Sequence, residues 1–297
     1  MGSEFHRIKR LPPYVFSEVN QLMLAARALG KDIIDFGMGN PDMPTPTHIV
    51  NKMQETLRNP KTHGYSASRG INGLRKAIAG FYARRFSVEI DPETETIVTL
   101  GSKEGLANLA SAITTPGDVI LVPNPSYPIH QFGFIIAGAS VRNVPVLPDK
   151  NYMGALESAV RHSVPKPIAL VLNYPNNPTT ITASFEFYEE VVSFCKFHEI
   201  YILSDLAYSE LYFDGHPPPS ILEVSGAKDI AVEFTSMSKS YSMAGWRVGF
   251  ATGNSELISA LGRVKSYLDY GAFTPIQVAA TAALNGPDSC IKDIREI

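Results

Sequence analysis

The sequence predicts an α/β fold in which helices cover both faces of a mostly parallel β-sheet. Three observations lead to this class. From about residue 96 onward, short apolar segments alternate with helical ones. The apolar runs are nearly continuous, as expected for strands that are buried on both faces. Polar, chemically capable residues follow the ends of several of these strands, which is where sheets of this kind bind ligands.

Seven strands are predicted from apolar and β-branched runs that end at turn residues. They cover residues 96–100, 119–122, 140–146, 168–173, 200–205, 230–236 and 248–252. Helices are predicted at 104–113 and 185–198. An earlier helix is predicted from Ser17, as its N-cap, to Gly30. Its apolar face contains Val19, Leu22, Met23, Ala26 and Leu29.

The composition is that of an ordinary globular protein, with enough length for one large domain or two smaller ones. With a net charge of -3, the sequence lacks the excess of basic residues that is typical of nucleic-acid-binding proteins. No apolar run reaches membrane-spanning length. Cys195 and Cys290 are far apart and form no metal or redox spacing. We therefore expect a cytoplasmic protein without a metal site, and Cys195 in a buried helix. Residues 1–5 resemble a cloning remnant and are left out of the fold prediction.

The most informative residue is Lys239, which follows the predicted strand 230–236. Ser236 and Ser238 precede it, and Arg247 comes eight residues later. A lysine that follows a strand and has hydroxyl groups beside it is well placed to form a Schiff base with pyridoxal phosphate through its amine. That cofactor also needs its phosphate bound, its ring nitrogen kept protonated and its phenolic oxygen hydrogen-bonded.

Other strand ends offer residues for these tasks. Ser102 and Lys103 lie where a helix starts, and free backbone N–H groups there bind anions. Asp205 ends an apolar strand, where a carboxylate can pair with a protonated ring nitrogen. Each of these residues also has an ordinary explanation, such as a helix cap or an ion pair. Only their joint occurrence favours a cofactor site.

The remaining candidates act on the cofactor ring and phosphate. Tyr208 and Asn177 can both donate to the phenolic oxygen, and Tyr127 can stack on the ring. The planar guanidinium of Arg247 suits a phosphate group. Taken singly, core packing, an Asx turn before Pro178 and a surface ion pair explain the same residues.

Four motifs, in this order, resemble those of class I aminotransferases of pyridoxal-phosphate fold type I. They are Asn-Asn-Pro-Thr at 176–179, Asp-x-x-Tyr at 205–208, Ser-x-Ser-Lys at 236–239 and Arg-Val-Gly at 247–249. The resemblance extends to 37–41, 63–75, 101–104 and 125–128, and so covers essentially the whole chain. The segments at 11–14, 101–105 and 239–241 are similar to those of bacterial alanine (glutamate–pyruvate) aminotransferases, a branch near the LL-diaminopimelate aminotransferases.

This resemblance implies a transaminase that moves an amino group between an amino acid and a 2-oxo acid by ping-pong kinetics. Lys239 would hold pyridoxal phosphate and then act as general base. Asp205 would pair with the ring nitrogen, Tyr208 and Asn177 would bond the phenolic oxygen, and Tyr127 would stack on the ring. The phosphate would be held by Ser102, Lys103, Ser236, Ser238 and Arg247.

The resemblance also implies a homodimer with shared active sites, because Tyr65 would reach the phosphate of the neighbouring subunit. Gly39 and Asn177 would lie near the substrate carboxylate. The implied domains are an N-terminal arm with part of a small domain (1–45), a large cofactor-binding domain (46–286) and the start of a linker helix (287–297). The C-terminal small domain, with the arginine that grips the substrate carboxylate, is expected to be missing, and the activity of this chain by itself is left open. Thr180 stands where the family usually has glycine.

Three alternatives stay open at this point. A C–S β-lyase of the same fold would use the same cofactor residues. Ser236-x-x-Lys239 matches the SxxK of serine acyl-enzymes, but their SDN and KTG elements do not follow it. A non-catalytic sensor domain would normally be fused to a DNA-binding module, and none precedes residue 17.

Overall fold

The computed structural model describes residues 5–37, 39–146 and 151–297. The segment 1–5, left out above, lies almost entirely outside these residues. The described strands are β1 Thr96–Thr99, β2 Val119–Asn124, β3 Ser140–Pro145, β4 Pro167–Asn173, β5 Tyr201–Asp205, β6 Ala231–Ser236 and β7 Gly249–Gly253. Each falls within or beside a predicted strand, so the strand predictions are confirmed.

The described helices before the middle of the chain are α1 His6–Lys9, α2 Val15–Ala28, α3 Thr47–Leu57, α4 Asn72–Phe86, α5 Ser102–Ile113 and α6 Pro128–Ala137. Those that follow are α7 Tyr152–Arg161, α8 Phe185–Phe197, α9 Met237–Ser240, α10 Ser255–Leu268, α11 Thr274–Leu284 and α12 Ser289–Glu296. Short 3₁₀ turns occupy Pro60–Thr62, Ile221–Glu223, Ala227–Asp229 and Ala244–Trp246. In the described part of the chain, no helix is both long and apolar enough to cross a bilayer.

The strands form one sheet in the order β1-β7-β6-β5-β4-β2-β3. The pairs β2–β3, β2–β4, β4–β5 and β5–β6 are parallel, whereas β7 is antiparallel to both β6 and β1. Since β1 and β6 both run antiparallel to β7, β1 runs parallel to β6. The mostly parallel sheet is confirmed, and the carboxyl ends of every strand except β7 meet at one edge.

Helices cover both faces of the sheet, as predicted. Ile202 and Leu203 are neighbours on β5, yet they belong to different core layers and both are fully buried. One layer packs against α4, α8 and α11, and the other against α5, α6 and α10. Burial on both faces is the physical reason for the continuous apolar runs. Cys195 lies in the first layer on α8, as predicted, where burial raises the pKa of its thiol to about 12.

Helix α2 differs from its prediction at the N-terminus and along its apolar face. It begins at Val15 with Tyr14 as N-cap, so the prediction of Ser17 as the cap is wrong. Gly30 does end it, with φ +74° and its N–H bonded to the carbonyl of Arg27. No residue of the helix is fully buried: Leu22 remains 71% exposed, whereas Val19 and Met23 are half-buried. Periodicity predicts an apolar face but not the surface that covers it.

Thr180, in the loop after β4, adopts a left-handed conformation with φ +62°. A β-branched side chain in this region costs about 1–2 kcal/mol. We expect Thr180→Gly to raise the free energy of unfolding by about 0.5–1 kcal/mol, since glycine relieves the strain but gains entropy in the unfolded chain. Urea denaturation of both proteins measures the difference.

Thr182 is the matched control, because it is exposed, lies in the same loop and has a negative φ. Thr182→Gly is expected to lower stability slightly. If Thr180→Gly lowers stability as much as the control, the left-handed strain does not exist in solution.

Glu233 is a fully buried carboxyl group on β6, away from the strand ends. Burial raises its pKa from 4.5 to about 7, against the opposing effect of its hydrogen bonds. Its oxygens accept hydrogen bonds from Tyr82 Oη (3.0 Å), Ser220 Oγ (2.6 Å), Ser204 Oγ (3.1 Å) and the N–H of Ile221 (3.2 Å). These four contacts join the carboxyl group of β6 to the turn at 220–221 and so fix their packing.

This raised pKa predicts a pH-dependent stability. Between pH 4.5 and about 7 the folded protein keeps a proton on Glu233 that the unfolded chain releases. The stability that this group contributes is therefore complete below pH 4.5 and is lost as the pH rises through about 7. Relative to Glu233→Gln, which cannot ionise, the protein should lose about 3 kcal/mol across this window. Denaturation at several pH values tests this, and a constant difference between the two proteins would contradict it.

Candidate active site

The predicted site residues surround the edge of the sheet where the carboxyl ends meet. Turns that follow β1, β2, β4, β5 and β6 open onto this edge, and the chain enters β7 from it. In chain order, the candidates that these turns carry are Ser102, Lys103, Tyr127, Asn177, Tyr208, Lys239 and Arg247. These candidates are spread over 146 positions of the sequence, from 102 to 247, and the tertiary structure brings them together at one edge of the sheet.

Lys239 lies on the single turn of α9, directly after β6. Its Nζ donates a hydrogen bond to the carbonyl of Gly39, at 2.9 Å, so the N-terminal segment reaches the lysine. Burial lowers the pKa of this amine. The hydroxyl of Ser236 caps α9 by accepting a hydrogen bond from the N–H of Ser238, at 3.2 Å. Both serines are buried beside the lysine.

Asp205 is buried at the end of β5 and paired with His130. The Nε2 of His130 lies 2.8 Å from Oδ2 of Asp205, and Oδ1 accepts a hydrogen bond from the N–H of Ala207, at 3.2 Å. Within the described structure, His130 Nδ1 has no hydrogen-bond partner. Sequence analysis missed His130, because a single histidine among the apolar residues of α6 carries no pattern that identifies it.

Tyr208 and Asn177 are in contact at this edge. Asn177 Nδ2 lies 3.3 Å from the hydroxyl of Tyr208, and burial raises the pKa of that hydroxyl. Asn173, which sequence analysis also missed as a site residue, holds this arrangement. Its Oδ1 accepts from the N–H of Asn177 at 2.9 Å, and its Nδ2 donates to the carbonyl of Asp205 at 3.1 Å. The ends of β4 and β5 are therefore tied together.

Lys103 lies between two aromatic rings. Its Nζ is 5.2 Å from the ring centroid of Tyr14 and 5.7 Å from that of Tyr127, within cation–π range. Burial, followed by the influence of Tyr14, raises the pKa of Tyr127 to about 12. Tyr14 was not among the predicted site residues, because only the fold brings the N-terminal segment to this edge.

The turn between β1 and α5 forms a tight backbone cradle with Arg247. The guanidinium of Arg247 donates to the carbonyls of Leu100 (3.3 Å) and Ala244 (2.8 Å). Gly101 has φ +88° and lies directly against this guanidinium, so a side chain there would collide with it. A Cβ on Gly249 would lie 2.8 Å from the backbone nitrogen of Ser102. Two glycines therefore let the N-terminus of α5 and the arginine converge, which suits a phosphate.

Tyr65 stands apart from this network. It is 89% exposed, and its ring packs on Tyr270 with centroids 4.6 Å apart. Among the described residues it makes no hydrogen bond to the site described above. Its predicted role concerns a neighbouring subunit and stays a prediction.

The donor set matches the parts of pyridoxal phosphate. A buried carboxylate is available for the ring nitrogen, two polar groups for the phenolic oxygen, an amine with a lowered pKa for the aldehyde and an anion cradle for the phosphate. These four elements lie on one edge of one sheet, so the residues fit the cofactor.

Comparison with known proteins gives the family. The sequence model of the family described as aminotransferase class I and II matches residues 31–297. The chain belongs to this aminotransferase family. Pyridoxal phosphate is the family's cofactor, and the reaction transfers an amino group between an amino acid and a 2-oxo acid.

Individual relatives agree with this assignment. The aminotransferase is 64% identical to AatC of Rhizobium meliloti over 99% of its own chain and 73% of that protein. It is 56% identical to the glutamate-pyruvate aminotransferase AlaC of Escherichia coli over 98% of its chain and 71% of that protein.

A solved structure agrees with the fold. A Thermus thermophilus aspartate aminotransferase variant superposes with a TM-score of 0.91 at 30% identity, covering all of this chain and 77% of the other. Fold type I is thereby confirmed. The matches to named aminotransferases also support an enzyme over the serine acyl-enzyme and the non-catalytic sensor.

Proposed function

We propose that the aminotransferase exchanges amino groups between alanine and glutamate through pyruvate and 2-oxoglutarate. One observation supports the proposed cofactor site above all: the Lys239 amine lies at the same edge of the sheet as the Asp205–His130 pair and the Asn177–Tyr208 pair. The substrate choice is supported by the 56% identity to a protein named as a glutamate-pyruvate aminotransferase.

The proposed roles follow from the contacts of each residue. Lys239 Nζ would hold the cofactor at its aldehyde carbon and, once the substrate amine has replaced it there, would be the base that takes the substrate α-proton. Bound pyridoxal phosphate supplies an electron sink for the electron pair that this proton leaves behind. Burial lowers the pKa of the lysine, which favours the neutral amine that a base requires.

The other residues hold the cofactor. Asp205, fixed by His130, presents a carboxylate to the ring nitrogen, and Asn177 with Tyr208 donates to the phenolic oxygen. Tyr127 stacks on the ring. The proposed phosphate ligands are Ser102, Lys103, Ser236, Ser238 and Arg247. The carbonyl of Gly39 accepts a hydrogen bond from Lys239, and we propose that Gly39 and Asn177 lie near the substrate carboxylate.

We also propose a homodimer in the cytoplasm, with residues 46–286 as the large domain between the segments 1–45 and 287–297. Support for the dimer comes from an exposed group of large side chains near Tyr65, formed by Tyr267, Leu268, Tyr270 and Phe273. Support for the cytoplasm comes from Cys195 and Cys290, which are free thiols and suit a reducing compartment. Sedimentation equilibrium tests the dimer, and a monomer at micromolar concentration would contradict it.

Substrate choice is tested by supplying alanine with 2-oxoglutarate and measuring pyruvate and glutamate. We expect kcat/KM for alanine to exceed that for aspartate or LL-diaminopimelate by about tenfold or more, a difference of about 1.4 kcal/mol in transition-state binding. A preference for diaminopimelate would overturn the alanine assignment. Release of pyruvate from cystathionine without any acceptor acid would instead indicate a β-lyase.

A further inference from the structure

Lys265, on α10, is a fully buried lysine that bridges two carboxylates. Its Nζ lies 2.9 Å from Oε1 of Glu104 and 2.9 Å from Oδ2 of Asp269, and none of its side chain is exposed. A buried ammonium group is stable only when it is paired in this way. The roles proposed above make no use of this charged group, which we call the Lys265 triad (Glu104, Lys265 and Asp269).

One arm of the triad reaches the phosphate cradle. Oε2 of Glu104 accepts a hydrogen bond from the N–H of Leu100, at 2.8 Å, and the carbonyl of the same Leu100 accepts from Arg247, at 3.3 Å. The backbone of Leu100 is thus held on one side by the triad and on the other by the proposed phosphate arginine. Glu104 also accepts from Asn108, which fixes its carboxylate within the first turns of α5.

The other arm reaches the segment that carries Tyr65. Oδ1 of Asp269 accepts from the N–H of Gly271 at 2.6 Å, and its backbone carbonyl accepts from Ser68 Oγ, also at 2.6 Å. Gly271 has φ +79° and lies directly against the carbonyl of Ala67, so that no side chain fits there. Lys265 therefore connects the turn at 100–103 to the segment 65–68.

The charges of the triad matter for an anion site. One ammonium and two carboxylates sum to one negative charge, within two residues of the N-terminus of α5. Without the ammonium, the same place would hold two half-buried negative charges, or Glu104 would turn away from Leu100. Removing one partner of a buried charged group leaves the others uncompensated. Either outcome opposes a phosphate bound in the cradle.

We propose that Lys265 is a positioning residue for the cofactor phosphate: through Glu104 and Leu100 it holds the β1–α5 turn in the geometry that accepts a phosphate monoester. The inference rests on the proposed cofactor site. It predicts that Lys265 governs affinity for the phosphate group and has little influence on the pyridine ring, which the residues after β4 and β5 contact.

The test compares Lys265→Met with the unaltered protein by measuring Kd for pyridoxal phosphate and for pyridoxal, which lacks the phosphate. We expect the Kd for pyridoxal phosphate to rise about tenfold or more, the size that loss of an outer partner produces at metal sites. The Kd for pyridoxal should change by less than about twofold. A purely structural role would weaken both ligands equally or only lower the Tm.

Two further variants sharpen the result. Lys228→Met is the matched control, because Lys228 also bridges a carboxylate (Glu95, 3.0 Å) and a carbonyl (Glu89, 2.9 Å), but near the amino end of β6. It should leave both Kd values unchanged. The double variant Glu104→Gln with Lys265→Met removes the excess negative charge and keeps an acceptor for the N–H of Leu100. Its Kd for pyridoxal phosphate should therefore be at least about threefold lower than that of Lys265→Met alone.

The outcomes separate the two proposals. If the unaltered protein does not bind pyridoxal phosphate, the proposed function is wrong. If it does bind, and folded Lys265→Met keeps the same ratio of the two Kd values, the inference about Lys265 is wrong. Equal weakening of both ligands, or a double variant no better than the single one, would also overturn it.

Discussion

Replacing Lys239 with alanine is expected to abolish transamination and the covalent retention of pyridoxal phosphate. Lys239 is the amine that we propose both for binding the aldehyde and for moving the α-proton, and its pKa is lowered by burial. Loss of a general base alone costs about 10²–10⁴-fold in rate, and loss of the covalent nucleophile adds to this. Turnover with alanine should therefore fall below about 10⁻⁴ of its original value.

Borohydride reduction followed by peptide mapping measures the attachment directly. In the unaltered protein the cofactor should be found on the peptide that contains Lys239, and in the alanine variant on none. Lys292→Ala is the control, because this lysine is exposed on α12 and far along the chain from the site. Retention of the cofactor on a different lysine in the Lys239→Ala protein would show that the site has been assigned to the wrong amine.

Asp205→Asn is expected to lower kcat/KM by about 10²–10³-fold while the protein still binds the cofactor. The amide can still accept a hydrogen bond from His130, which lies 2.8 Å from the carboxylate. It carries no charge, however, and cannot keep the ring nitrogen protonated, so the ring withdraws electrons less well. The cradle with Arg247 and the amine of Lys239 are untouched, and the Kd for pyridoxal phosphate should change much less than the rate.

Glu233→Gln is the control for this variant, because it makes the same change from carboxyl to amide at another buried acidic residue on the neighbouring strand. Its hydrogen-bond partners are Tyr82, Ser204, Ser220 and Ile221, none of which belongs to the site. We expect its kcat/KM to stay within about twofold of the original. Rates that fall equally in both variants would mean that general destabilisation, and not the charge at Asp205, controls the reaction.

The strands and most site candidates were predictable because they leave local signals. A strand buried on both faces must be apolar along its length, and Ile202 with Leu203 shows why. Residues that bind a ligand at the sheet edge must follow such runs, which led to Asp205 and Lys239. The motifs also led to the family, and the family model confirms it.

Other features left no local signal. The partner of Asp205 is His130, 75 residues earlier in the chain, and a lone histidine on an apolar helix is more often an ordinary core residue. The position of the Lys103 ammonium between Tyr14 and Tyr127 left no signal either, because the two rings come from separate segments. Ser17 looked like a helix cap, yet α2 begins before it.

The sequence by itself determined the fold class, the seven strands, the cofactor motifs and the lysine on which the proposed chemistry depends, because each is set by the residues within one short segment. Only the tertiary structure decided which groups meet: the antiparallel β7 that brings Arg247 beside Leu100, the histidine that holds Asp205, and the buried lysine that bridges Glu104 and Asp269. These contacts join residues that are distant in the chain. Their energies come from burial and charge pairing, which exist only after the sheet and its helices have packed.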